Sequence, residues 1–397
     1  MHVLIMQRPH STARYDHWIH EADPTARITV LTSADAERPA GDLAEGVRRV
    51  TVDDYESPAA TAALFRLCAA DRPDRIFVNS EDDVLRAAEA RTLFGIPGLG
   101  SATALRFRDK VEMKRLFEGL PVPAVPHREL RCGADLYAAA EELGPLVVKP
   151  RDGAGSTGVR VLADARAVRR ACVEDPALLT ALHGGTLMAE RYVAGTVHHV
   201  DVLVDGDRAL LVSPSRYTSP PHRFRTDNLG SVMLDRGSPR AKLLTDTAER
   251  FVARLPEGHG VHVLHLEFLE DTSGALFAGE VACRTGGALV KNAVRHTWGI
   301  DLSRASCLLS AGLWTPPEGP VPTGPPTAWL LWNGGPRPSV PAERPDWLVE
   351  FSAPKPPEGQ RPPDTPVSSV DSRARFLIEG ADEEQLEARL RLLYADG

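Results

Sequence analysis

Two glutamates, Glu267 and Glu280, constrain this chain more tightly than any other feature, because the pattern around them folds both onto one face of one hairpin. The first strand reads Val261-His262-Val263-Leu264-His265-Leu266-Glu267-Phe268-Leu269. Period-two alternation puts Leu264, Leu266 and Phe268 on one face and His265 and Glu267 on the other. A turn, Asp271-Thr272-Ser273-Gly274, leads into Ala275-Leu276-Phe277-Ala278-Gly279-Glu280-Val281. Closing that turn as a hairpin brings Glu280 roughly opposite Glu267, where cross-strand Cβ atoms lie ~5 Å apart. Two like charges there repel and weaken the sheet unless a divalent cation sits between them. Arg284 follows, then Gly286-Gly287, which places a cationic group beside the cation. The constellation points to a Mg²⁺-nucleotide site.

The rest of the composition excludes several classes of function. At 397 residues the chain suits two to three domains. With 43% hydrophobic and 25% charged residues and a net charge of −8, it has no broad footprint for nucleic acid or anionic membrane. No apolar run reaches the ~18 residues of a membrane span, and the N-terminus enters a strand, His2-Val3-Leu4-Ile5-Met6, without a signal pattern. A cytoplasmic location is expected. Cys68, Cys132, Cys172, Cys283 and Cys307 form neither a CxxC site nor a disulfide framework. Cys283, although in the site region, reads as a buried inert thiol. Lysine is confined to Lys110, Lys114, Lys149, Lys242, Lys291 and Lys355, so the position of each carries information.

The predicted fold class is mixed α/β (α+β). Residues 1–98 alternate strands (His2–Met6, Arg27–Thr32, Arg48–Val52, Arg75–Asn79) with helices (Pro58–Ala70, Asp82–Phe94), which is a doubly wound α/β unit. No GxGxxG follows its first strand, which argues against a dinucleotide site. Ser101 opens a helix that runs to about Glu118. Residues 99–185 read as this linker helix with a small α/β unit, residues 186–313 as a strand-rich central domain, and residues 314–397 as a Pro/Gly-rich extension packed on it. Arg375–Ile378 and Asp382–Leu393 restore ordered patterning near the end.

Leu146-Val147-Val148-Lys149-Pro150 is a strand ending in lysine, and Gly153, Gly155 and Gly158 with Ser156 and Thr157 form a loop before the next strand. Strand–loop–strand is not a Walker A loop, which must open a helix. The glycines let backbone N–H groups approach phosphate oxygens, and Lys149 supplies a fixed charge with no core to hold up; an ordinary glycine-rich hairpin is the plainer alternative. Glu190, with Arg191, Tyr192 and Val193, joins a strand to a connector whose acid and backbone suit a purine edge, or Glu190 simply faces solvent.

The order Asp109-Lys110, Lys149 with the glycine loop, Glu190-x-x-Val193-x-Gly195, Glu267, and Glu280-x-x-x-Arg284-x-x-Gly287 resembles the ATP-grasp superfamily. Within it the pattern is similar to the carboxylate–amine ligases, including L-amino acid (dipeptide) ligases. The resemblance covers roughly residues 1–311. It implies an ATP-grasp fold: an N-terminal doubly wound domain, a small lid subdomain and a central antiparallel-sheet subdomain. It implies ATP phosphates on Lys110, Lys149 and loop 153–158, and adenine on Glu190 and the backbone of Arg191–Val193. It also implies Mg²⁺, as two ions, on Glu267 and Glu280, with Mn²⁺ able to substitute. Arg284 and Lys149 become the catalytic cations. The implied reaction joins a carboxylic acid and an amine, taken to be amino acids, through an acyl phosphate. A homodimer is among the expected assemblies. Two positions depart from the pattern: Val197 stands where a ribose-binding Glu is common, and Ala282 where an Asn metal ligand is common.

Candidate substrate contacts are Glu81, Arg216, His265 and Arg284. Glu81 follows a strand end in an α/β sheet, where ligands bind, although it could equally cap the next helix. Arg216 lies in a polar stretch, 213–225, read as a loop that could clamp a carboxylate or lie solvated. His259, His262 and His265 alternate faces at this spacing and cannot converge on a metal; only His265 shares the face of Glu267. His198 and His199 read as ordinary strand residues. Competing functions are a non-catalytic, regulatory ATP-binding module and a carboxylase or purine-pathway enzyme on the same fold. The arginine-rich, lysine-poor composition suggests a G+C-rich bacterial genome and a dipeptide or natural-product pathway.

Overall fold

The computed structural model describes residues 1–317, 321–339, 344–353 and 368–394. Four strands, β1 (His2–Met6), β2 (Arg27–Ser33), β3 (Arg48–Val52) and β4 (Arg75–Phe77), form an all-parallel sheet in the order β3-β2-β1-β4. The strand β1 is buried along its whole length, as a parallel strand covered on both faces requires. Leu4, Met6 and Ile76 pack against the helices Pro58–Ala70 and Asp83–Phe94. Val3, Ile5 and Phe77 face the helix Tyr15–Ala22 together with Cys307, Leu308 and Ala311 of the helix Leu302–Ala311. That last helix comes from the expected central domain and covers the N-terminal sheet.

The helix predicted from Ser101 to Glu118 is interrupted. It runs Ser101–Arg108, turns at Asp109, and resumes as Lys110–Lys114. The Asp109 carboxylate accepts from the amides of Val111 and Glu112, so this residue caps a new helix. The Lys110 amide donates to the Arg151 carbonyl at 2.9 Å. The break therefore ties the linker to the lid and sets the direction of Lys110 and Lys114.

The lid is a four-stranded antiparallel sheet of β5 (His127–Leu130), β6 (Leu146–Pro150), β7 (Arg160–Leu162) and β8 (Leu187–Arg191), in the order β5-β8-β6-β7. A boundary after residue 185 cuts this sheet, because β8 is one of its two inner strands. The lid sheet ends at Arg191.

The large sheet contains β9 (Gly195–Asp205), β10 (Arg208–Tyr217), β11 (Leu229–Met233), β12 (Val263–Asp271), β13 (Leu276–Ala282), β14 (Thr327–Trp332), β15 (Leu348–Ser352) and β16 (Ala374–Glu379). Its order is β13-β12-β9-β10-β11-β14-β16-β15, with antiparallel neighbours throughout. The region after 314 is thus part of the sheet rather than a layer upon it: β14, β15 and β16 complete it. The stretch 213–217, expected to be a loop, is the end of β10.

Alternation along β9 and β12 decides where the site lies. Val200, Val202, Val204, Leu264, Leu266 and Phe268 are fully buried in one core with the helix Pro239–Val252. On the opposite face Leu203 and Val263 pack on the helix Val290–Trp298, and then the same face turns polar, with His199, Asp201, His265 and Glu267. An apolar face that becomes polar toward one end of its strands is a core giving way to a site.

Candidate active site

Glu267 and Glu280 are register partners on β12 and β13, as the sequence predicts. The register shifts immediately beyond them, between Glu267 and Phe268, with Gly279 the extra residue of a β-bulge. A Cβ on Gly279 would lie 2.6 Å from Leu269 Cδ1 and 3.1 Å from the Glu267 carbonyl oxygen, so a side chain at the bulge would push the Leu269 side chain aside.

Three lysines meet Glu280 and Glu190. Lys149, at the end of β6, places Nζ 2.7 Å from Glu280 Oε1 and 2.7 Å from Glu190 Oε2. Lys110 Nζ lies 3.7 Å from Glu280 Oε2 and donates to the Gly153 carbonyl. Lys114 Nζ lies 2.6 Å from Glu190 Oε1 and donates to the Gly279 carbonyl. Burial pushes the Glu280 carboxyl up, but Lys110 and Lys149 outweigh it and hold the group well below the usual carboxylate range. Burial alone would depress Lys149, yet Glu190 and Glu280 raise it. Lys114 is the exception, since burial lowers it despite Glu190. Glu190, expected at the adenine edge, is only 3% exposed, and its carboxylate is taken up by the two lysines. Its place in the structure is to fix Lys149 and Lys114.

The glycine loop between β6 and β7 contains two consecutive left-handed residues, Gly155 and Ser156, both at φ 60°. A non-glycine in that region is uncommon and directs successive amides into a concave nest that suits an anion. In the connector after β8, the Arg191 amide donates to Pro126 and the Tyr192 amide to Pro145, at 2.9 and 2.7 Å. The Arg191 guanidinium lies over the Phe277 ring, 4.6 Å from its centroid.

On the other side of Glu267 a polar chain runs into the sheet. Tyr217 OH donates to Glu267 Oε1 at 3.2 Å, and His265 Nε2 lies 3.5 Å from the same oxygen. His265 Nδ1 meets Asp201 Oδ1 at 2.8 Å, and Asp201 Oδ2 meets His199 Nδ1 at 2.8 Å. His199 Nε2 ends the chain on Ser231 Oγ at 2.7 Å. Burial opposes a charged imidazole at His265, but Asp201 overcomes it and raises the pKa to about 9. A Cβ on Gly286 would lie 2.9 Å from both Asp201 Oδ1 and His265 Nδ1, so the turn after Arg284 packs directly on this pair.

Arg284 and Glu81 meet across two sheets. Arg284 Nε donates to Glu81 Oε2 at 2.8 Å, while Arg108 Nη1 donates to Glu81 Oε1 at 2.6 Å. Arg108 also donates to the Asp152 carbonyl of the lid. Burial raises the Glu81 carboxyl, and Arg284 and Arg108 more than reverse the effect. Cys283 beside them is pushed up to about 12 by burial, a protonated thiol at neutral pH.

Lys110, Lys149, the glycine loop, Glu190, Glu267, Glu280, Arg284, Glu81 and His265 are therefore one connected constellation. Arg216 is not part of it. Residues alternate along β10, so Tyr217 faces the site and Arg216 the opposite side, where it pairs with Glu383 at 2.8 Å and with Glu387. The sequence reading missed Lys114, Arg108, Tyr217, Asp201 and His199. Lys114 stands one helical turn after Lys110 in a chain with few lysines, and Asp201 alternates with His199 in a strand; both signals were legible. Two facing carboxylates offer hard oxygen donors, which fit Mg²⁺ better than a softer metal.

A family model described as the ATP-grasp domain matches residues 107–262. An L-arginine-specific L-amino acid ligase from Bacillus subtilis is 29% identical over 246 residues, which is 60% of this chain and 57% of that protein. A D-alanine–D-alanine ligase from Ectopseudomonas mendocina is 34% identical over 113 residues, 28% of this chain and 34% of that one. The chain spans about half the length of the curated relatives it matches. Among solved structures, an L-amino acid ligase from Bacillus licheniformis superposes with a TM-score of 0.63 at 18% identity, covering 99% of this chain and 96% of its own. A carboxyaminoimidazole ribonucleotide synthase from Aspergillus clavatus reaches 0.70 at 16% identity, covering 99% and 97%. Among the described residues no helix is long and apolar enough to cross a membrane. The three-sheet architecture and the lysine–glutamate constellation agree with the family model, and residues 107–262 form an ATP-grasp domain.

Proposed function

We propose that the protein is an ATP-dependent carboxylate–amine ligase that joins two amino acids through an acyl phosphate and releases ADP and phosphate. The observation that carries this reading is the position of Lys149. It stands between the glycine-loop strand and the carboxylate pair, 2.7 Å from Glu280. Two further supports are the resemblance to the Bacillus ligases and the cationic Arg284 on the turn that follows β13.

Lys110, Lys149 and the amides of loop 153–158 are the groups to hold the β- and γ-phosphates. Val193 is the connector position that offers an amide to adenine, because Arg191 and Tyr192 already donate to protein carbonyls. Glu267 and Glu280 would hold Mg²⁺, which when bound offsets the negative charge of the phosphates. The donor carboxylate attacks the γ-phosphorus, the bond from that phosphorus to the bridging oxygen breaks, and ADP leaves. The acyl phosphate so formed has phosphate as its leaving group. The amine attacks its carbonyl carbon, and Arg284 stabilises the oxyanion that develops. The closed loop excludes water from the intermediate. Ala282, in place of an Asn ligand, leaves Glu267 and Glu280 as the metal carboxylates on these strands.

¹⁸O in the donor carboxylate tests the proposal, run over a matrix of amino-acid pairs. One labelled oxygen must appear in the released phosphate. Label in AMP, or unlabelled phosphate during amide formation, rules the mechanism out. Phosphate release driven by bicarbonate instead of an amino acid would move the protein to the carboxylating branch of the fold.

A further inference from the structure

We propose that Ser368–Val370, just ahead of β16, are positioning residues that strap the glycine loop of the lid to the turn carrying Arg284. Three contacts carry the inference. The Ser369 N–H donates to the Gly155 carbonyl at 3.1 Å, a backbone bond from the last sheet strands into the lid. A Cβ on Gly155 would stand 3.3 Å from Ser368 Cβ, so the two chains touch there. A Cβ on Gly287 would stand 2.9 Å from Val370 Cγ1, so Val370 packs on the turn that follows Arg284.

The strap is itself held. Asn333, just past β14, donates through Nδ2 to the Ser369 carbonyl at 3.4 Å and to the Asp371 carbonyl. Its Oδ1 accepts from the Leu229 amide of β11 at 3.0 Å, so the anchor belongs to the interior of the large sheet. The Ser368 amide donates to Asp371 Oδ2 at 2.9 Å, and Ser369 is buried. The opposite wall of the turn is the Asp201–His265 pair beneath Gly286. The Arg284 turn is therefore clamped from both sides, and one of the two jaws also grips the glycine loop.

A loop with consecutive left-handed residues and few side chains to bury has little of its own to fix its position. A net backbone hydrogen bond shifts such a local opening equilibrium roughly 2- to 12-fold. The strap thus sets how far the loop stands from Arg284 before nucleotide arrives. It goes beyond the ligase reading, resting on it only for the loop's role toward phosphate.

Hydrogen exchange on the full, nucleotide-free chain tests the strap without reference to activity. Ser369→Pro removes the N–H donor; Ser369→Ala keeps it. Exchange across 153–158 should rise several-fold in Ser369→Pro and stay at parental rates in Ser369→Ala, with β6 and β8 unchanged in both. Val370→Gly, which leaves the backbone bond and removes the contact with Gly287, should speed exchange in 284–288 and serves as the measure if Ser369→Pro does not fold. Parental exchange at the affected segment in a folded variant overturns the proposal. Binding of Mg²⁺ with the β,γ-imido analogue of ATP separates the two claims. Faster loop exchange with weaker binding supports both, whereas faster exchange with unchanged binding keeps the strap and removes the loop from the phosphate site.

Discussion

Arg284 on the turn after β13 and Glu81 beyond the end of β4 form an ion pair at 2.8 Å, although 203 positions separate them in the chain. The pair makes the N-terminal sheet part of the site, and its other oxygen passes the link to Arg108 and the lid. Arg284→Ala should lower kcat by ~100-fold or more while the KM for ATP stays within about threefold, as expected for a group that acts on charge developing in the transition state. An equal loss in ATP affinity would place Arg284 in nucleotide binding instead.

Glu81→Gln removes the charge shared by buried Arg108 and half-buried Arg284 and should cost about 1–3 kcal/mol of stability. It should also reduce kcat, because Arg284 loses the contact that orients it. Thermal denaturation and steady-state kinetics on the same preparation check both. A normal kcat in a destabilised Glu81→Gln protein would mean that the pair only holds domains together.

Glu267→Gln and Glu280→Gln should each lower Mg²⁺-dependent turnover by ~100-fold or more, since each removes a carboxylate proposed to hold the metal. The fold should persist in Glu267→Gln, whereas Glu280→Gln also takes a counter-charge from Lys149 and Lys110 and should lower the melting temperature without abolishing folding. Full turnover at saturating Mg²⁺ in both variants would remove the metal from this hairpin.

The hairpin and its turn were legible in the sequence from alternation in two short stretches, but the regular register would set Gly279 opposite Glu267, and only the bulge at Gly279 brings Glu280 into that place. The parallel N-terminal sheet was legible for a similar reason, its strands and helices having distinct periods. What could not be read was set by long-range partners. Nothing near Arg216 says that a helix some 170 residues later supplies Glu383 and Glu387. Nothing near Glu190 says that Lys114 and Lys149 both turn toward it. The strands β14 to β16 were hidden by Pro- and Gly-rich surroundings, and their place in the sheet depends on pairing with β11, far earlier in the chain.

The Asp201–His265 pair predicts a pH dependence of stability. Asp201 raises the folded pKa of His265 to about 9, above its ordinary value near 6.5. A raised histidine stabilises the fold fully below the unfolded pKa, and the contribution fades as pH climbs toward the folded one. Metal-free protein should therefore lose melting temperature progressively between about pH 6.5 and 9. Asp201→Asn should be less stable at pH 6 and should show a flatter profile over that window. A parallel profile in Asp201→Asn would assign the slope to other groups.

Lys149 carries more structural weight than a strand-end lysine beside a glycine loop suggests, since its ammonium is buried between two glutamates. Lys149→Met should cost about 1–3 kcal/mol, limited because Lys114 still serves Glu190 and Lys110 still neighbours Glu280. The same geometry predicts a gain. Lys149 and Lys110 hold the carboxylate that the metal would need, so in nucleotide-free protein the lysines and the cation compete for Glu280. On the proposed reading a triphosphate would draw the lysines away and free Glu280, so nucleotide and metal should bind cooperatively. Mn²⁺ titrated into nucleotide-free Lys149→Met should bind at least ~10-fold more tightly than to the parent, because a unit positive charge has left a partly dehydrated site. In the same variant the gain in Mn²⁺ affinity on adding the imido analogue of ATP should shrink. Mn²⁺ binding no tighter than in the parent would show that Glu280 is not held in reserve by these lysines.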